Sequence, residues 1–106
     1  MARVLINAPR AVRPGQVFEV RALIQHVMET GFRHNEVGQA IPRDIIHRVV
    51  CTYNGEEVFR ADLFPAISAN PFVSFTTVAR DSGEIALTWT DDHGRTQTET
   101  VPITIE

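Results

Sequence analysis

Tyr53-Asn54-Gly55-Glu56, set between the apolar run Ile45–Tyr53 and Glu57-Val58-Phe59-Arg60-Ala61, decides the fold class. Asn-Gly accepts the two positive φ values of a type I′ turn, whose twist matches that of paired strands, so the stretch predicts a tight β-hairpin. Upstream of the turn both faces of Ile45–Tyr53 are apolar, as a central strand requires. Downstream, Val73, Phe75 and Thr77 alternate with Ser74, Thr76 and Val78. Asp81-Ser82-Gly83 turns the chain, and Ile85, Leu87 and Trp89 then alternate with polar neighbours. That is the period of half-buried strands. After a tight turn at Asp91-Asp92-His93-Gly94, Val101, Ile103 and Ile105 mark a last strand. Pro102 within it lacks an N–H and belongs where no ladder bond is needed, on an edge or at a bulge. Upstream of the hairpin, Phe18, Val20, Ala22 and Ile24 point one way while Glu19, Arg21 and Gln25 point the other, with Leu23 as the exception. Arg13-Pro14-Gly15-Gln16 ahead of them fits a type II turn joining two strands.

About seven short antiparallel strands with near-regular turn signals, and no convincing helix, predict a single domain over residues 1–106, an all-β immunoglobulin-like β-sandwich. Trp89 is expected between the sheets with no disulfide beneath it, because Cys51 is the sole cysteine. The pattern breaks once. Between His26 and Arg43 lies a polar connection of roughly eighteen residues, beyond the length of about 12 to 15 at which structureless loops become uncommon and are usually functional or disordered. This interruption is the first candidate for a binding surface.

Composition narrows the partners. The formal charge is −3, with Lys+Arg 10 against Asp+Glu 13, and the cations are arginines scattered singly along the chain. Nucleic-acid binding needs a clustered basic footprint and is not expected. No run of apolar residues reaches membrane-spanning length. Pro9 interrupts the first apolar run before it reaches the length of an export signal, and the residues alone lean towards the cytoplasm.

Cys51 falls mid-strand on the face of Val49 and Tyr53, where a buried structural thiol is expected. His47 shares its parity, but four strand residues span about 13 Å, too far for direct activation. His26, Glu29 and His34 have no metal-site spacing, so no metal or cofactor is expected. Asp91, Asp92 and His93 read as turn residues capping their own backbone, and the carboxylate spacing of a calcium loop is missing. Ser68 and Ser82 sit in turn-like contexts with no histidine base assignable. Catalytic residues are therefore not assigned. Met28, Phe32, Leu63, Phe64 and Phe72 lie in or beside irregular segments, where they either form an interface or fold back under the loops as satellite core.

His26-Val27-Met28-Glu29-Thr30-Gly31, Ile41-Pro42-Arg43 with Ile45-Ile46, Asn54-Gly55 with Val58-Phe59, Ala61-Asp62-Leu63, Pro65 through Pro71, and Trp89-Thr90-Asp91-Asp92 with Gly94 together resemble the SoxZ family. Valine follows His26 where that family often has proline. The resemblance implies the non-catalytic subunit of the SoxYZ carrier complex of thiosulfate oxidation. Such a subunit forms a heterodimer with SoxY, whose C-terminal cysteine arm carries the sulfur intermediates, and makes transient contact with the Sox enzymes. It also implies a periplasmic location reached by co-export with a signal-bearing partner, and on this point the family is followed over the residues alone. Candidate contacts for the partner or its arm are His26, Met28, Glu29, Thr30, Leu63, Phe64, Asn70 and Phe72. If the loop lies beside the carrier cysteine, His26 and Thr30 would hydrogen-bond a sulfonate and Met28 would pack on the arm. The alternative is an independent immunoglobulin-like protein- or ligand-binding module without SoxY. An isolated subunit could also self-associate through an unpaired sheet edge.

Overall fold

The computed structural model describes residues 3–67 and 69–106, so Ser68 lies outside the described residues. Eight strands follow one another: β1 (Arg3–Asn7), β2 (Ala11–Val12), β3 (Val17–Gln25), β4 (Ile46–Tyr53), β5 (Glu56–Asp62), β6 (Phe72–Val78), β7 (Gly83–Asp91) and β8 (Thr96–Ile105). They form two sheets, ordered β1-β3-β6 and β2-β8-β7-β4-β5. This is the immunoglobulin-like sandwich that the alternation led us to expect. The count is eight because the N-terminal segment changes sheets. Arg3–Asn7 pairs antiparallel with β3, and beyond Pro9 the two residues of β2 pair parallel with the end of β8.

The strand alternation is realised residue by residue. Phe18, Val20, Ala22 and Ile24 of β3 are buried against Val49, Cys51 and Tyr53 of β4, Ile85, Leu87 and Trp89 of β7, and Ile103 of β8. Phe18 meets Tyr53 edge to face at 6.1 Å, and Phe59 of β5 stacks on Phe75 of β6 at 4.6 Å, closing one side of the sandwich. The Tyr53 hydroxyl donates to the Asp81 carbonyl at 2.6 Å and accepts from the Arg80 N–H at 3.1 Å, a pairing that a buried phenol needs. Leu23, the exception in β3, faces outward and lies level with Leu5 and Phe72 on the strands either side.

One expectation at β4 needs adjustment and another holds. A bulge between Ile46 and Arg48 inserts His47 as an extra residue, so its parity with Cys51 is lost; its ring turns towards Asp92, with Nδ1 3.4 Å from the carboxylate. Cys51 is buried, and burial pushes its thiol up to about 12. Such a thiol stays protonated at neutral pH and is a poor nucleophile.

Asn54 and Gly55 take φ values of 49° and 83°, as the hairpin turn demands. The Asn54 side chain then does a second task. Its Oδ1 accepts from the Glu84 N–H at 2.9 Å, its Nδ2 donates to the Ser82 carbonyl at 3.3 Å, and its own N–H reaches the Glu84 carbonyl at 3.0 Å. The hairpin tip is thereby tied to the start of β7. The fit requires glycine at position 83, because a Cβ there would lie 1.7 Å from Asn54 Oδ1. Gly83→Ala should cost about 2 to 3 kcal/mol in chemical denaturation, from overpacking and lost hydrogen bonds. In an Asn54→Gly background the same change should cost far less, since the atom it strikes is gone.

Candidate functional site

The segment that interrupts the strand pattern is ordered from its foot outward. At its start, the His26 N–H donates to Asn70 Oδ1 at 3.0 Å and the Asn70 N–H donates to the His26 carbonyl at 2.7 Å. Asn70 adopts a φ of 57°, which asparagine tolerates better than most residues. Two residues on, Met28 has a φ of 52° and turns into the core, 4% exposed, where its sulfur lies 3.3 Å from the Ile46 N–H. Glu29 and Asp44 then exchange backbone hydrogen bonds of 2.8 Å across the neck. Gly31, at a φ of 87°, packs directly on Arg43, whose Cβ would stand 3.1 Å from any side chain added there.

Beyond the neck the chain runs out and back as an arm. The Ile41 N–H bonds to the Arg33 carbonyl and the Asn35 N–H to the Gln39 carbonyl, both at 2.9 Å. Asn35 Oδ1 accepts from the N–H groups of Val37 and Gln39 at 3.0 Å, shaping the tip. Arg33 forks onto the Glu29 carboxylate and stiffens one leg. Phe32 and Val37 project from this arm 78% and 77% exposed. The molecule measures 59 × 20 × 18 Å with a radius of gyration of 16.2 Å, against about 13 Å for a compact chain of this size.

Of two adjacent aspartates, Asp92 holds the returning leg. Asp92 accepts from Arg43 Nε at 2.7 Å, Arg43 Nη2 at 2.9 Å and the Ile45 N–H at 3.2 Å. Asp91 turns the other way and caps its own turn, accepting from the N–H groups of His93 and Arg95 at 2.9 and 3.0 Å and from Arg95 Nε at 2.9 Å. The Arg43 guanidinium, opposed by burial, holds Asp92 below the usual carboxylate range. For Asp91 burial works against the charge, and the Arg95 and His93 hydrogen bonds outweigh it. Asp91 thus takes the turn-capping role expected of it, while Asp92 latches a distant segment.

Beside the foot of the arm is a cleft of about 550 Å³ lined by His26, Val27, Asp44, Asp91, Arg95 and Gln97 among others. Ligand atoms of His26, Asp44 and Asp91 lie within 4.8 Å of one another. The donor set does not suit a metal. Nδ1 of His26 accepts from the Met28 N–H at 3.0 Å, which places the ring proton on Nε2, the atom facing Asp44. Asp91 is already committed to Arg95. Of the metal trio weighed from the sequence, Glu29 is engaged by Arg33, and His34 sits on the arm in a bridge to Ala40.

The candidate contact residues separate accordingly. Phe64 and Phe72 are exposed, whereas Leu63 packs against the core and Met28 is sealed within it, so Met28 has no free surface for an arm. His26 is largely buried, its ring braced between the Met28 N–H and Asp44. Thr30 caps the Phe32 N–H at 3.2 Å. Asn70 straps the start of the segment through its bonds to His26 and is itself exposed, on the wall of the cleft. Sequence reasoning missed the exposed Val37 on the arm and the latch formed by Arg43 and Asp92; the latter pair is 49 positions apart, with no local signal connecting them.

The sequence profile of the family described as sulphur oxidation protein SoxZ matches residues 6–102. The chain belongs to the SoxZ family. The residues that carried the resemblance now have roles, since the His26–Gly31 run forms the neck of the arm and the Asp91–Gly94 turn forms its latch. No curated protein matches the chain in sequence. Among solved structures, the chain is similar to a superoxide reductase (neelaredoxin) from Ignicoccus hospitalis, 21% identical with a TM-score of 0.74, covering 97% of this chain and 80% of that one. It is also similar to the sulfur carrier protein SoxY from Chlorobium limicola f. thiosulfatophilum, 11% identical with a TM-score of 0.71, covering 97% and 78%. A putative superoxide reductase from Thermotoga maritima is 16% identical with a TM-score of 0.73, covering 97% and 85%. These likenesses are of fold.

The latch sets an acid limit. Asp91 and Asp92 have folded pKa values below those of the unfolded chain, so their contribution is fully present above about pH 4 and is lost as pH falls through the folded values. Protection of the Ile45 and Arg95 amides, each rate taken relative to its intrinsic rate at the same pH, should therefore fall below about pH 4. Asp92→Asn should accelerate Ile45 exchange at pH 7 and cost about 1 to 2 kcal/mol of stability, limited by the half-exposed Arg43.

Proposed function

We propose that this chain is the non-catalytic subunit of a sulfur-oxidation carrier, binding a SoxY-like protein whose cysteine arm bears the sulfur intermediates and helping present that arm to the Sox enzymes. The observation that carries this reading is the SoxZ family match across residues 6–102, in a chain whose one thiol is buried and held protonated. A carrier thiol must be accessible and able to form a thiolate; Cys51 is neither, so the sulfur is borne by the partner. The SoxY fold is shared with this chain, which suits a complex of two related sandwiches.

The partner-binding surface is the arm and the apolar patch near its foot. Phe32 and Val37 are large apolar side chains held out on a stiffened hairpin, the composition of interface anchors. Leu5, Leu23 and Phe72 form an apolar row on the outer face of the three-stranded sheet, with Leu5 and Phe72 63% and 59% exposed, and Phe64, just after β5, is exposed as well. The complex works in the periplasm, reached by co-export with the partner.

Tagged chain purified gently from its native host should carry a stoichiometric SoxY-like protein, identified by intact mass, in the periplasmic fraction. A lone chain would leave an independent binding module instead. Cys51→Ala should leave partner binding and pathway turnover unchanged in the reconstituted system, whereas Phe32→Ala with Val37→Ala should weaken the complex by roughly tenfold or more, in keeping with anchor residues. Loss of turnover in Cys51→Ala with the fold intact would overturn the non-catalytic reading.

A further inference from the structure

The five-stranded sheet is left incomplete along one edge, and the gap has definite limits. β8 pairs with β7 over Thr96–Ile103, but its outer side is covered only where β2 meets Thr104 and Ile105. The Thr104 N–H points outward, donating to the Arg10 carbonyl at 2.8 Å, and the Glu106 N–H does the same to Val12 at 2.9 Å. Strand parity then turns the backbone groups of Thr96, Thr98 and Thr100 outward as well. Among the described residues nothing pairs with them. Pro102 falls on this same outward parity, which is why a proline is tolerated in β8. The stretch Thr96–Val101 is thus an unpaired edge, bounded by Pro102 and β2 at one end and by the Asp91–Arg95 turn at the other.

The interior side of this edge is open too. Gln97 and Glu99 occupy the inward positions of β8 opposite Trp89 and Leu87, where a closed sandwich would place apolar side chains. They line a cleft of about 490 Å³ whose other wall is Arg3, Val4 and Leu5 of β1. Gln25 and Gln97 also line the cleft at the foot of the arm, so the two hollows are adjacent along β8. Trp89 contributes to the first of these. It is 4% exposed, and its indole N–H is buried with no hydrogen-bond acceptor. A buried donor left unpaired costs free energy that an incoming acceptor would recover.

We propose that Thr96–Val101 accepts an extended segment of the SoxY-like subunit as an added strand, with an uncharged, acceptor-bearing side chain or carbonyl turned inward towards Trp89. The inference rests on the partnership proposed above. Backbone complementarity supplies the binding, as in other cases of strand addition. Arg3, Glu99, Arg95 and Asp44 place both signs of charge around the two clefts, which favours a neutral segment. A second copy of this chain does not fit the edge as well. A two-fold β8 pairing has to centre on Thr98, matching Thr96 with Thr100 and Gln97 with Glu99, so it would turn a second Glu99 carboxylate towards the cleft beside Trp89, while β2 already fills the edge at Thr104. The occupant must instead be short, or bend away at Pro102.

Two measurements on the copurified heterodimer test this. Amide exchange at Thr96, Thr98 and Thr100 should slow in the complex relative to the isolated chain, and the Trp89 indole N–H resonance should shift. Thr98→Pro removes the outward N–H and leaves the backbone bonds to β7 in place, losing only the 2.8 Å hydroxyl bond to Thr88, which Thr98→Val loses too, and should weaken partner binding by about tenfold or more. Thr98→Val keeps that N–H and should bind as the wild type. A wild-type complex with fast exchange at all three threonines would overturn the strand-addition inference alone and leave the partnership standing. Concentration-dependent protection in the isolated chain would assign the edge to a second copy and overturn the choice of occupant. Failure of the wild-type chain to bind any SoxY-like protein would bring down both readings.

Discussion

The carboxylate of Asp92 joins parts of the chain that strand pairing alone would leave independent. It draws Arg43 and the Ile45 N–H onto the β7–β8 turn, and so brings the end of a long excursion back to the point where β4 begins. Without that closure the neck between Glu29 and Asp44 would have to be held by two backbone hydrogen bonds and the packing of Gly31 on Arg43. With it, the arm projects from a fixed base. A charged acceptor shared by several donors suits this position, because such bonds are shorter and stronger than neutral ones and are directional.

The same junction organises the cleft. Asp91 and Asp92 are adjacent in sequence but serve opposite sides, one folding the turn that carries Arg95 and the other holding the arm. Their neighbours His26, His93 and Asp44 crowd the foot, with Asp44 Oδ1 buried 3.8 Å and 3.4 Å from the two histidine Nε2 atoms and without a hydrogen bond. The chemistry is that of positioning. The His26 ring is fixed by a backbone donor, and the thiol of Cys51 is enclosed between the sheets. The His26 ring and the Cys51 thiol are thus tied down or buried, while the exposed apolar side chains and the unpaired edge are open to other molecules.

Those open features lie on surfaces that a lone sandwich would normally hide. Edge strands and apolar sheet faces are liabilities for an isolated domain, being templates for association. Here the apolar row of Leu5, Leu23 and Phe72, the arm residues Phe32 and Val37, and the outward backbone of β8 remain uncovered together. That arrangement suits a subunit of a complex more than a free-standing protein.

Local sequence determined a great deal here. Asn54-Gly55 set the hairpin, the alternation from Phe18 to Ile24 and from Ile85 to Trp89 set which faces are buried, and Pro102 marked a backbone position with no ladder bond to make. Each of these depends on neighbours within a few residues, through φ preference or strand period. The long polar segment was also visible as an interruption, but its form was not. Whether Met28 would be surface or core was decided by a positive φ and by Ile46 across the neck. The loss of parity between His47 and Cys51 came from a bulge that only the pairing with β7 reveals. The latch between Arg43 and Asp92, the tie from Asn54 to Glu84 and the gap beside Thr96–Val101 all depend on how sheets and distant segments meet. Such contacts carry no local periodicity, so tertiary structure alone decided them.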